Sequence, residues 1–289
     1  MTSSFVIKRL NFGSVRIDES MRVRGVPPGH SIEVPAQGWL ILGGDKPILV
    51  DAGYRDPSVL GAGGTVASGQ GFHDQLRAHG VSAEQLGYVI LTHAHRDHAG
   101  HVDKIPLQIP VVLDRAELAA AASGLQGLAY ARDDVHHLID RLYTPGGLRL
   151  LDLERSGPVE TSPGITCVHT GGHTAGSLSV IVPTAEGDAY LCGDLFYDVE
   201  TALHTQPRDT FVAAVQPAHF DPYAAGLTNN FTVGVIDELA ATQRARRYRF
   251  VVPAHDDPAV LDHGQYCGRI LGDTIPGPIH DPIHDPASR

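Results

Sequence analysis

Thr92-His93-Ala94-His95-Arg96-Asp97-His98-Ala99-Gly100 puts four potential metal ligands within six residues, directly after the apolar run Tyr88-Val89-Ile90-Leu91. That run has the length and the β-branched and aromatic content of a buried strand, so the ligands fall on the loop at its end. His93 and His95, two apart, can converge on one cation while the loop curls. Asp97 and His98 then point elsewhere, towards a second. Imidazole nitrogen and carboxylate oxygen suit zinc, and also serve iron, manganese or cobalt. Four ligands cannot complete two metal sites, so the rest of the chain has to supply more.

Further candidates end other strand-like runs. His173, in Gly171-Gly172-His173-Thr174-Ala175-Gly176, follows Ile165-Thr166-Cys167-Val168. Asp194 ends Ala189-Tyr190-Leu191-Cys192-Gly193, His255 ends Phe250-Val251-Val252-Pro253-Ala254, and Asp51 ends Pro47-Ile48-Leu49-Val50. Any one of them would pass for an ordinary loop residue. In this order along one chain they point to a shared site.

The pieces Asp51-Ala52-Gly53, His93-Ala94-His95-Arg96-Asp97-His98, Gly172-His173-Thr174, Gly193-Asp194 and Ala254-His255-Asp256 resemble the metallo-β-lactamase superfamily, and they span residues 51–256. The resemblance implies an αββα sandwich: two mixed β-sheets face to face, helices outside, and metals at one sheet edge. Mapped residue by residue, it puts His93, His95 and His173 on one metal and Asp97, His98 and His255 on the other, with Asp194 bridging both. The implied cofactors are two divalent ions, zinc first, with iron, manganese or cobalt as alternatives. A bridging carboxylate holds such ions roughly 3.5–4 Å apart, and water between them loses a proton near neutral pH. Imidazole ligands also need partners that orient them. Asp51 is the candidate for such a buried orienting carboxylate, not a direct ligand.

Tyr197 lies three residues after Asp194. The same Asp-x-x-Tyr spacing occurs in the N-acyl homoserine lactonases, where the hydroxyl faces the substrate carbonyl. The resemblance therefore implies lactone opening by a metal-bridging hydroxide, with Tyr197 donating to the developing oxyanion. Asp97 is placed to pass a proton to the leaving alkoxide, besides serving as a ligand. This chain departs from many lactonases at Ala175 and Ser177, where those carry Pro and His, and at Gly171, a frequent Pro. None of these is an expected ligand, so the departures concern loop shape.

Rival readings share much of the ligand set. A thioester hydrolase of glyoxalase II type would add basic residues near the C-terminus for a glutathione carboxylate, and after His255 only Arg269 and Arg289 are basic. A single-iron sulfur dioxygenase shares part of the motif. A flavodiiron enzyme would carry Glu where His95 stands, and β-lactamases generally lack the bridging carboxylate. A metal-stabilised binding protein would need only four closed ligands.

Composition narrows the partners. The formal net charge of −11 argues against nucleic acid and against an anionic membrane, leaving a small-molecule substrate. No stretch is long and apolar enough for a spanning helix, and the N-terminus lacks a basic start followed by an apolar core. Cys167, Cys192 and Cys267 are odd in number and form no CxxC pair, which fits a reducing cytoplasm. The expected ligands run from residue 93 to residue 255 and must meet, so residues 1–270 read as one hydrolase domain. Residues 271–289, with the tandem Ile279-His280-Asp281-Pro282 and Ile283-His284-Asp285-Pro286, read as an extended tail. A homodimer is left open.

The elements that must position the ligands follow from patterning. Residues 39–42 and 47–50 read as a hairpin leading to Asp51, and the Gly-rich residues 54–71 as a loop near the metals. Residues 72–79 read as a helix stopped by Gly80, and Ser82-Ala83-Glu84-Gln85 has capping-box spacing. Residues 115–122 read as a helix, as do residues 133–142 with Val135, Leu138, Ile139 and Leu142 on one face. Residues 198–230 break the pattern and could wall a substrate. Residues 232–247 read as a helix whose basic last turn, Arg244, Arg246 and Arg247, suits the negative end of its dipole.

Overall fold

Short apolar runs separated by turn residues form two seven-stranded sheets in the computed structural model, which describes residues 4–19, 27–55, 64–124, 129–204 and 238–277. The first half supplies β1 (Val6–Asp18), β2 (Ser31–Leu42), β3 (Ile48–Val50), β4 (Tyr88–Ile90), β5 (Val111–Asp114) and β6 (Leu148–Leu151). The second supplies β7 (Val159–Ser162), β8 (Ile165–His169), β9 (Leu178–Thr184), β10 (Gly187–Gly193), β11 (Phe250–Pro253), β12 (Ala259–Asp262) and β13 (Gln265–Arg269). A last strand, β14 (Thr274–Ile275), returns to the first sheet. The orders are β14-β1-β2-β3-β4-β5-β6 and β13-β12-β11-β10-β9-β8-β7. Both sheets are mixed, with β3 to β6 parallel and β10 parallel to β11.

Alternation of side chains sorts the apolar residues into layers. On the first sheet Ile7, Ile41, Ile48, Val50 and Ile90 face the second sheet, where Val180, Val182, Leu191 and Val252 meet them. Leu49, Val89 and Leu113 point the other way, onto the helices α1 (Phe72–Ala78), α3 (Arg115–Ser123) and α4 (Arg132–Leu142) through Leu76, Leu118 and Leu138. On the second sheet Tyr190 and Val251 pack outward against α6 (Val199–His204) and α7 (Glu238–Ala245). The short helices α2 (Arg96–Ala99) and α5 (Leu153–Ser156) complete the set. Strands covered on both faces read as continuous apolar runs, as these do. The expected αββα sandwich of two mixed sheets is the fold observed.

One local expectation is revised and two contacts are added. Leu142 is exposed, and Arg141 takes the inward position at the end of α4. The helix stops there, and the guanidinium satisfies loop carbonyls that an aliphatic side chain would leave bare. Thr274 and Ile275, expected in the tail, pair with Lys8 and Ile7 of β1, so ordered structure continues past residue 270. Arg244 and Arg246 donate to the carbonyls of His169, Gly264 and Leu203, stitching α7 to its neighbours besides lying at its C-terminal end. The tandem repeat of the tail, residues 56–63 of the Gly-rich loop and residues 205–237 lie outside the described residues. Among the described residues, no helix is long and apolar enough to cross a membrane.

Candidate metal centre

The candidate residues meet where strands of both sheets end on the same side of the sandwich. Thr92 and His93 follow β4, His95 is the N-cap residue of α2, and Asp97 and His98 lie within that helix. His173 lies between β8 and β9, Asp194 follows β10, and His255 follows β11. Ends of parallel strands are where α/β sheets place ligands.

Two triads form. The ligand atoms of His93, His95 and His173 lie within 4.8 Å of one another, and so do those of Asp97, His98 and His255. Asp194 stands between them with one oxygen for each. Its Oδ2 lies 3.3 Å from His173 Nε2 and 3.8 Å from His93 Nε2. Its Oδ1 lies 3.1 Å from His98 Nε2 and 3.3 Å from His255 Nε2. Asp97 closes the second triad, with Oδ2 3.2 Å from His255 Nε2. Its side chain is 18% exposed, the wettest of the set.

Buried polar atoms test whether cations fit here. His98 Nε2, His255 Nε2 and Asp194 Oδ1 are all buried and make no hydrogen bond. Groups of this kind are rarely left bare. Their convergence, with five imidazoles and two carboxylates, fits a pair of divalent cations in chemistry and in number.

The outer nitrogens of the second triad's imidazoles are tied down. Asp51 Oδ2 accepts from His98 Nδ1 at 2.9 Å, and its two oxygens accept from Thr92 N and Thr92 Oγ1, both at 2.8 Å. The Pro35 carbonyl accepts from His255 Nδ1 at 2.7 Å. Asp51 therefore sits where an orienting carboxylate was expected. It holds φ +60°, a left-handed conformation that aspartate tolerates better than most residues. Asparagine tolerates it equally, so Asp51→Asn should keep the backbone while weakening the orienting bond. The expected result is a 10–100-fold loss of zinc affinity, read by chelator competition.

Electrostatics follow the packing. Burial alone would lower His98 and His255, but the surrounding aspartates outweigh it. His98 is held well above its ordinary value, and His255 is raised to about 10. Burial would likewise raise Asp194, yet the charges of His255, His98 and His173 hold it well below the usual carboxylate range. At His173 burial, helped by the neighbouring His95 and His98, outweighs the Asp194 charge and pushes the imidazole down to about 3.

Tyr197 reaches the centre, where its hydroxyl donates to Asp194 Oδ2 at 2.6 Å. Its ring stacks on His255 with centroids 4.9 Å apart. Burial and the Asp194 charge hold its hydroxyl well above the usual phenol range, so it is a donor and not a base. Gly171 and Gly172 hold φ +58° and +85° before His173. A proline cannot reach such angles, which explains why this loop has no proline at 171.

Sequence patterning missed several supporting residues. Glu117 is fully buried beside the first triad. Arg269 pairs with Asp256 at 2.6 Å and Glu200 at 2.8 Å, pinning the loop of His255 to α6. An acidic residue in a first helical turn, or an arginine on a strand, carries no local signal of such a role.

Fold and geometry together define a metal-dependent hydrolase of the αββα type. The chain belongs to the metallo-beta-lactamase superfamily, whose model matches residues 33–255. It is 28% identical over 217 residues to an N-acyl homoserine lactonase from a Bacillus species, covering 70% of this chain and 81% of that one. A probable metal-dependent hydrolase from Staphylococcus aureus superposes with a TM-score of 0.69 at 18% identity, covering 94% and 98% of the two chains. AidC, a dizinc quorum-quenching lactonase solved with N-hexanoyl-homoserine product, gives 0.61 at 14% identity over 97% and 99%.

Proposed function

We propose that this chain hydrolyses lactones with a dinuclear metal centre, and that N-acyl homoserine lactones are the first class to test. The observation that carries the reading is Asp194, with one oxygen towards each triad and the Tyr197 hydroxyl upon it. The lactonase relatives support the same class. His93, His95 and His173 would hold one cation, Asp97, His98 and His255 the other, and Asp194 both. Two such cations, zinc or another divalent metal, supply Lewis acidity for an ester carbonyl and a water acidic enough to attack near neutral pH.

The chain's own groups do the rest. Donation from His98 Nδ1 to Asp51 and from His255 Nδ1 to Pro35 aims each Nε2 at the centre. Tyr197 turns its donor from Asp194 towards the oxygen that gains charge. Asp97, ordered by His255 but open to water, carries a proton to the leaving alkoxide. Tyr197→Phe should lower kcat by roughly 10–1000-fold with the fold intact. An unchanged rate on good lactones would make Tyr197 a packing residue.

The thioester alternative needs a free basic group for a carboxylate, and Arg269 is engaged by Asp256 and Glu200. The discriminating experiment is proton release on short and long acyl homoserine lactones, simple lactones and a glutathione thioester. Lactone turnover lost on chelation and restored by zinc or manganese supports the proposal. Thioester turnover alone would reassign the substrate, and sulfite formation from a persulfide with iron bound would reassign the reaction.

A further inference from the structure

We infer that Glu117 is the positioning residue of the first metal pocket and sets its cation affinity separately from that of the second. Glu117 lies in the first turn of α3 and is 0% exposed. Its Oε1 accepts from Ala94 N at 2.9 Å, the amide between His93 and His95, and from the Tyr130 hydroxyl at 2.8 Å. Its Oε2 accepts from Thr174 Oγ1 at 2.5 Å and from Gly176 N at 3.2 Å, on the loop that presents His173. Tyr130 in turn sets its ring edge against His95, centroids 4.8 Å apart.

One buried carboxylate thus ties together the loops carrying all three members of the first triad. The second triad rests on other groups, Asp51 for His98 and the Pro35 carbonyl for His255. Gly176 makes the clamp possible: a Cβ there would overlap the backbone nitrogen and the side chain of Glu117. The acceptor oxygens, each used twice, take four donors that burial has removed from water. Gln at this position keeps the volume but turns one acceptor into a donor facing these groups.

The inference rests on the metal-centre reading, so the test separates the two. Zinc affinity is measured by chelator competition in single-pocket backgrounds, His255→Ala leaving the first triad complete and His173→Ala leaving the second. Adding Glu117→Gln should weaken zinc 10–100-fold in the first background and less than about 3-fold in the second. Tyr130→Phe and Thr174→Val should each weaken the same pocket by less, and they decide the matter if Glu117→Gln fails to fold. Equal losses in both backgrounds, tracking a lowered Tm of the metal-free protein, would overturn the inference and leave Glu117 a packing residue. A wild-type chain that binds fewer than two zinc ions would overturn the metal-centre reading itself.

Discussion

Asp194→Ala is expected to leave a folded chain that binds no more than one divalent cation tightly and turns lactones over at least on the order of a thousand-fold more slowly. The side chain is buried between the triads, and each of its oxygens faces a different one. Removing it takes a carboxylate oxygen from beside both triads at once and leaves five imidazoles crowded without their shared counter-charge. Loss of several kcal/mol of charge stabilisation corresponds to that factor in rate. His95→Ala should also stop turnover, but it removes a ligand from one pocket only. Metal content by elemental analysis therefore separates the two variants, with the larger loss for Asp194→Ala. Full activity in either purified variant would refute the site.

Arg141→Leu is expected to cost the fold about 3 kcal/mol or more while leaving metal content per folded molecule unchanged. The guanidinium is completely buried and donates to the carbonyls of Ile109 at 2.9 Å, Val102 at 3.1 Å and Ile105. Burial lowers its pKa to about 10, so it stays charged at neutral pH. Leucine fills part of the space and donates to none of the carbonyls; those of Ile109 and Ile105 lose this donor away from water, while that of Val102 keeps the Ile105 amide. Such a loss should lower Tm by roughly 5–10 °C, and urea unfolding should show the same drop in midpoint. A midpoint within error of wild type would mean that water reaches these carbonyls unaided.

Much of this architecture was legible in the chain. The strand-end position of each candidate ligand followed from short apolar runs, because a strand covered on both faces has no polar alternation to obscure it. α3 was readable from its alanine content and α4 from its apolar period. The amphipathic reading failed at Leu142 and Arg141, where the helix ends. Period predicts a face only while the helix continues, and the loops beyond it needed a donor more than a methyl group. A two-residue strand such as β14 has no pattern to detect.

The sequence by itself determined which candidate ligands end the strands and which family they resemble, because residue type and strand periodicity are local properties written in neighbouring letters. Only the tertiary structure decided how those residues are held. Asp194 turns a different oxygen to each triad, Tyr197 rests on that carboxylate, Pro35 orients His255 through its carbonyl, and Glu117 clamps two loops from 23 and 57 residues away. Apart from the Tyr197 hydroxyl on nearby Asp194, such contacts join segments distant along the chain and often use backbone groups, which every residue possesses and no side-chain pattern can single out.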